Sequence, residues 1–194
     1  MSRYPNWFAM GAIHYFEHHL RPLAGTPDLR FLQIGAFTGD ASAWLLDNVL
    51  TGDGCELVDV DTWGGSDEPI HKTFDWADVE RVYRDRTQKA RIAGRVETRK
   101  TTSVDYFDSM VPQPQFDFIY IDGGHTAFDV LNDAVNAYRS LVVGGLLAFD
   151  DYTWQSGKGD PHDPKLAIDA VRAVYAGRLE LLTLGGQAWF RRVV

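Results

Sequence analysis

Apolar and polar positions along this chain fall into two alternating patterns. Short, nearly unbroken apolar runs occupy Phe31–Ile34, Leu57–Val60, Phe116–Ile121 and Leu146–Phe149. Runs of this length, closed by glycine or by acid, predict strands buried on both faces. A weaker third run, Val96 to Lys100, predicts another strand between the second and fourth. Between the runs, apolar residues recur every three or four positions, which predicts helices over 7–20, 40–50, 76–92, 103–110, 126–141 and 165–176. Turn chemistry marks the joints: Arg21-Pro22 and Gly25, Thr51-Gly52-Asp53-Gly54, and the Pro112/Pro114 break. Two last short runs around Gly185-Gly186 predict an antiparallel hairpin. Strands alternating with helices in this way predict an α/β chain with a doubly wound, mostly parallel sheet, covered on both faces and closed by that hairpin. One domain accounts for the whole length, with residues 1–25 as an N-terminal helical cap and 29–194 as the core.

Charge narrows the class of partner. The chain has 19 Lys and Arg against 27 Asp and Glu, a formal net charge of −8. Proteins that grip a phosphate backbone present basic faces, so no nucleic-acid partner is expected. The mixed charges of Asp75 to Arg91 read as a solvated helix face, and so do His14, His18 and His19. A single cysteine, Cys55, permits no internal disulfide and suits a reducing compartment. No apolar run reaches the roughly 20 residues of a membrane helix, and the first residues lack the pattern of a signal peptide. The expectation is a cytoplasmic protein with no membrane partner.

The chemistry-bearing residues gather at the predicted carboxyl ends of the strands. Asp122 ends the FDFIYID run, Asp150 and Asp151 end the LLAFDD run, and His125 follows in the IDGGH segment. In open α/β sheets, ligands bind in the crevice outside those ends. After the first strand comes G-x-x-x-G, with Gly35 allowing a sharp turn and close backbone approach, and Gly39 opening the next helix. This spacing lacks the G-x-G-x-x-G that seats a pyrophosphate. A dinucleotide enzyme is the weaker reading, and no Tyr-x-x-x-Lys pair supports one. Asp61, at the end of the second strand, is placed to accept hydrogen bonds from both hydroxyls of a ribose. Asp59, two residues earlier on the same strand face, is its rival.

Together these segments resemble class I S-adenosylmethionine (SAM)-dependent methyltransferases, and the likeness runs over nearly the whole chain. It implies a Rossmann-like, seven-stranded sheet with QIGAFTGDAS as the cofactor loop, bringing Gln33, Gly35, Ala36, Phe37, Gly39 and Ser42 to the cofactor. It further implies that Asp61 holds the ribose, that Thr102 and Ser103 lie beside the adenine, and that Trp63 stacks on it or closes the substrate pocket. The pairing of IDGGH with DDY is similar to the DGxH group of small bacterial methyltransferases. It is also similar to metal-dependent O-methyltransferases of the catechol and the macrolide or aminocoumarin sugar types. That resemblance implies a divalent cation, Mg²⁺ or another, on Asp122, Asp150 and Asp151. Where catechol-type enzymes carry a lysine base, this chain has His125.

Methyl transfer to a hydroxyl needs a proton acceptor or a Lewis acid. An unperturbed histidine titrates near neutrality, so His125 with Asp122 is expected to carry catalysis; the alternative for His125 is a helix cap. Three neighbouring carboxylates repel one another unless a cation joins them, which favours the ion. The expected acceptor is a small molecule. Two further readings remain beside this one: a metal-free N- or O-methyltransferase, and a non-catalytic nucleoside-binding module. The N-terminal aromatics Tyr4, Trp7 and Phe8, expected to be exposed, would suit a lid or a homo-oligomer contact.

Overall fold

Strands β1 (Arg30–Ile34), β2 (Glu56–Asp61), β3 (Val96–Lys100), β4 (Phe116–Ile121), β5 (Leu141–Phe149), β6 (Leu179–Leu184) and β7 (Ala188–Arg192) form one sheet in the order 3-2-1-4-5-7-6. This is a computed structural model describing residues 3–111 and 113–194; Pro112, one of the two expected breakers, lies outside the described residues. The first five strands pair in parallel, and β7 runs antiparallel between β5 and β6. The expected mostly parallel sheet with its terminal hairpin is therefore present. Strand order reverses between β1 and β4, and such a reversal opens the crevice in which doubly wound sheets bind ligands.

Side chains alternate between the sheet's two faces, as strand geometry requires. Leu32, Ile34, Ile119, Ile121, Leu147 and Phe149 pack on one side. There they meet α4 (Ser103–Asp108), α5 (Ala127–Ser140) and α6 (Pro164–Val174). Phe31, Phe118, Tyr120, Leu146 and Ala148 point to the other side, which carries α1 (Ile13–His19) and α2 (Asp40–Asn48). α3 (Trp76–Ile92) buries Val79, Tyr83 and Thr87 and leaves its charged residues outside, where Arg81 pairs with Asp78 and Arg84 with Glu80. Asp75 caps this helix by accepting the amides of Ala77 and Asp78.

The N-terminal segment is a layer of the core as well as a cap. It begins as a π-helical turn, Phe8–Ala12, and continues as α1. Phe16 is fully buried, edge-on to Phe118, Tyr120 and Trp189, a burial worth about 1.5–3 kcal/mol. His14 and His18 are exposed as expected, but His19 is not on a solvated face. It stacks on Trp189 at 4.5 Å and bonds Thr183, and burial, His18 and Arg191 together push its pKa down to about 4. Tyr4 is likewise buried, edge-on to Phe37 and Phe74, and Trp7 lies 4.7 Å from Phe37. Tyr4 is therefore in the core and Phe8 half-buried against Phe16, whereas Trp7 is exposed as expected. Among the described residues, no helix is long and apolar enough to cross a membrane.

Candidate active site

Two groups of residues meet where the strand order reverses. The first is built by the turn after β1. Gly35 has φ +86°, and a Cβ there would lie 1.8 Å from the Asp122 carbonyl oxygen. Only glycine lets the β1 turn pass that close to the β4 turn. Gly39 has φ +76° and stands against the Tyr83 ring, so both glycines of the G-x-x-x-G are demanded by backbone shape. Gly39 occupies the cap position of α2; Asp40 makes no capping bond and instead accepts from Thr38 and pairs with Arg86.

Asp61 organises this turn. Its Oδ2 accepts the amides of Ala36 (2.8 Å) and Phe37 (2.9 Å), and its Oδ1 accepts the amide of Trp63 (2.7 Å). Burial raises its pKa, and those three amide bonds oppose the rise. A carboxylate oxygen can accept two bonds, so Oδ1 keeps capacity for one more. Phe37 and Trp63 both adopt positive φ, 47° and 46°. The Trp63 indole donates to the Phe37 carbonyl and its ring packs at 4.8 Å from Tyr83, leaving it 4% exposed. Trp63 thus ties the two turns together from within the core.

Below this turn the residues are sealed. Asp59 is fully buried and accepts the Tyr83 hydroxyl at 2.8 Å; burial lifts its pKa to about 7. Gln33, its neighbour across β1, is buried and donates to the Gly35 carbonyl, while its Oε1 has no partner. Ser42 is fully buried beside Asp59. Of the two rival acids, Asp61 is the one at the rim.

The second group follows β4 and β5. Asp122, His125 and Asp151 come together with one ligand atom of each within 4.8 Å of the others. Asp151 has φ +59°, a left-handed conformation that aspartate tolerates better than most residues. Its Oδ2 lies 3.0 Å from His125 Nε2, and Glu68 Oε1 lies 3.0 Å from His125 Nδ1. The Nδ1 contact is an ion-pair approach off the N–H axis, for Nδ1 is buried without an in-line hydrogen bond. The Trp154 ring closes over His125 at 4.9 Å. Burial works against a charged ring, but the contacts with Asp151 and Glu68 and the charge of Asp122 outweigh it and carry His125 up to about 11. The expectation of an unperturbed histidine is corrected here: two carboxylates hold it as an imidazolium at neutral pH. Contact with that ring holds Glu68 down at about 2.

Asp150 is the member of the expected trio that turns away. Its Oδ2 accepts the Tyr120 hydroxyl at 2.8 Å and its Oδ1 accepts the Gln187 amide at 3.0 Å. Trp189 fixes Gln187 from behind. Asp122 shares only the Tyr120 hydroxyl of that cradle, and burial and the charges of Asp150 and Asp151 raise its pKa well above the usual range.

Thr102 is the cap of α4, accepting the Asp105 amide, and Ser103 is the first helical residue, its side chain turned to the buried Asp133. His125 is not a cap; Thr126 caps α5. Spacing alone did not mark Glu68, His71, Tyr120 or Gln187. The first two come from the loop after β2, whose only sequence signal was a Gly-rich stretch next to the rim.

The acid–histidine group also fits a divalent cation. Its donors are two carboxylates and an imidazole, and one donor atom of each lies within 4.8 Å of the others.

A family model described as a methyltransferase domain matches residues 32–152. No curated protein matches the chain in sequence. Solved structures share its fold. An O-methyltransferase from Bacillus cereus in complex with SAH is 18% identical, over 92% of this chain and 79% of that one, with a TM-score of 0.61. The O-methyltransferase TomG from Streptomyces achromogenes, involved in tomaymycin synthesis and in complex with SAM, is 20% identical over 94% and 78%, with a TM-score of 0.59. A Clostridium thermocellum protein assigned provisionally as an rRNA methylase is 11% identical over 94% and 98%, with a TM-score of 0.68. At these identities the likeness speaks for the fold, and the fold alone does not choose an acceptor.

Proposed function

The chain belongs to the family of methyltransferase domains, and from that premise we propose that it transfers a methyl group from SAM to a hydroxyl of a small molecule. The observation that carries the reading is the backbone contact between the two halves of the site. Gly35, in the turn held by Asp61, abuts Asp122 of the acid–histidine cluster. A nucleoside held by the first group is thereby presented to the second across one turn of backbone.

Bound SAM supplies an electrophilic methyl on its sulfonium, and a divalent cation held by Asp122, His125 and Asp151 would lower the pKa of an acceptor hydroxyl. The chain's own groups do the rest. Asp61 Oδ1 accepts a ribose hydroxyl with its remaining capacity. Gly35 leaves room for close approach, and fixed placement of the reactants lowers the barrier to in-line displacement. A proton acceptor works best with a pKa near the working pH. Burial and the neighbouring acids raise Asp122 well above an ordinary carboxylate, whereas Asp151 and Glu68 lift His125 to about 11. Asp122 is therefore the group we assign to receive the hydroxyl proton, with His125 holding Asp151 in place.

A metal-free variant of the same reaction has one specific support, the direct 3.0 Å approach of Asp151 to His125 Nε2. A rim built from Glu68, Asp122 and Asp151 on a chain of net charge −8 repels a phosphate backbone, which favours a small acceptor over RNA.

Calorimetric titration of SAM and S-adenosylhomocysteine, first with Mg²⁺ and then with chelator, tests the reading. Micromolar binding of both ligands is expected, followed by transfer of labelled methyl to hydroxylated acceptors. Absence of binding under both conditions overturns it, and turnover that chelator leaves unchanged selects the metal-free variant.

A further inference from the structure

We propose that Glu68 is a positioning residue of this site, acting by latching the loop between β2 and α3 onto His125; for the reaction it serves, the proposal rests on the methyltransferase reading above. The loop spans residues 62–75 and has one 3-10 turn, His71–Thr73. Its two neighbouring acids are treated differently. Asp67 is 99% exposed, while Glu68 is 20% exposed and points inward to His125.

The inward turn is braced from both sides. Ser66 Oγ lies 2.9 Å from Glu68 Oε1 and 2.7 Å from His71 Nδ1, and its one proton serves either. The Ser66 amide also donates to His71 Nδ1. Trp76 donates its indole N–H to the His71 carbonyl, and its ring packs beside Phe37 and Phe74. One end of the loop is thus seated on the cofactor-loop residue Phe37, and the middle reaches across to the turn after β4.

An imidazole held at one nitrogen can still turn about its own axis; held at both, it cannot. Nε2 already faces Asp151 at 3.0 Å. Nδ1 is sealed from solvent with no in-line partner, and the Glu68 carboxylate stands opposite it. That contact commits Nε2 to the side where Asp122 and Asp151 converge. A carboxylate behind a histidine ring is the usual device for fixing ring orientation at ion-binding and proton-transfer sites. The same contact ties the loop to the turn after β4, so seating the loop and orienting the ring are one event.

The test follows the ring directly, with no ligand present, by nitrogen-15 NMR of histidine-labelled protein. Wild type, Glu68→Ala, Glu68→Gln and Asp67→Asn are compared, and His125→Asn assigns the signal. A slowly exchanging Nδ1 proton on His125 is expected in wild type and in Asp67→Asn. It should vanish in Glu68→Ala and persist, weakened, in Glu68→Gln, which keeps an acceptor oxygen but not the charge. A second arm measures Mn²⁺ affinity by electron paramagnetic resonance. Glu68→Ala should weaken it about 10–100-fold, whereas Asp67→Asn, with the same charge lost from the same loop, should leave it unchanged. A His125 signal that is indifferent to Glu68→Ala overturns the proposal. Failure of wild type to bind Mn²⁺ removes the cation reading instead, and the ring signal alone then decides for or against Glu68.

Discussion

Asp61 at the end of β2 and Asp122 after β4 flank the same Gly35 turn, and both are buried acids whose proton affinity is raised by that burial. Their surroundings differ in kind. Asp61 is met by three backbone amides, neutral donors whose positions the β1 and β2 turns fix. Asp122 is met by one neutral donor, the Tyr120 hydroxyl, and otherwise by Asp150, Asp151 and the His125 ring, so most of its neighbours are themselves charged. A buried carboxylate served by amides is stable in place and ready for further neutral donors such as hydroxyls. A buried carboxylate among other carboxylates holds free energy that falls when a proton or a cation arrives. One half of the crevice is thus built to recognise, and the other to change its charge.

The sharpest way to break this comparison is at Asp61. Asp61→Ala removes the acceptor for a ribose and leaves three amides without their partner. Charge-assisted bonds are worth about 1.5–3 kcal/mol each, so loss of the one ribose bond, with the turn left unbraced, should lower SAM affinity about 10–100-fold or more by calorimetry. A loss of only a few fold would mean that the nucleoside is held elsewhere. The next largest effect separates Asp150 from Asp151. Both Asp150 oxygens are taken by Tyr120 and Gln187, whereas Asp151 faces His125 and Asp122. Asp151→Asn should weaken Mn²⁺ binding about 10–100-fold, the loss typical of a disturbed metal-site contact, and Asp150→Asn by about threefold or less. Equal losses would restore the three-acid arrangement expected from resemblance.

How much of this could be read from the sequence follows from the range of each interaction. Strands β1, β2, β4 and the end of β5 were legible because each is buried on both faces and so is a continuous apolar run, whereas β3 and β6 are partly exposed and leave weaker runs. Gly35, Asp61, Asp122 and Asp151 were legible because the fold delivers strand ends to one rim. Asp150 looked equivalent to Asp151, and its withdrawal depends on Tyr120, 30 residues away, and Gln187, 37 away. The charge state of His125 was illegible for a similar reason: its two acids arrive from two other loops. Trp63 was read as a ligand contact because its positive φ, and with it the indole bond to Phe37, cannot be inferred from residue type.

The smallest effect concerns Asp59, which lies inside the recognising half and asks whether that half carries charge beyond Asp61. Its Oδ2 accepts from Tyr83, its Oδ1 has no partner, and burial raises its pKa from 3.8 to about 7. An acid whose folded pKa exceeds its unfolded one favours the folded state most when protonated. The stability it confers is complete below about pH 4 and is lost as pH rises through about 7. Asp59→Asn cannot ionise and still offers an oxygen to Tyr83. Its thermal stability should therefore be flatter with pH, exceeding wild type by on the order of 2 kcal/mol more at pH 8 than at pH 5. SAM affinity should stay unchanged, because Asp59 is sealed beneath the turn that Asp61 holds. If wild type and variant lose stability in parallel over that range, Asp59 is already ionised in the folded protein. The recognising half would then carry two buried charges, and the contrast with the Asp122 cluster would rest on partners alone.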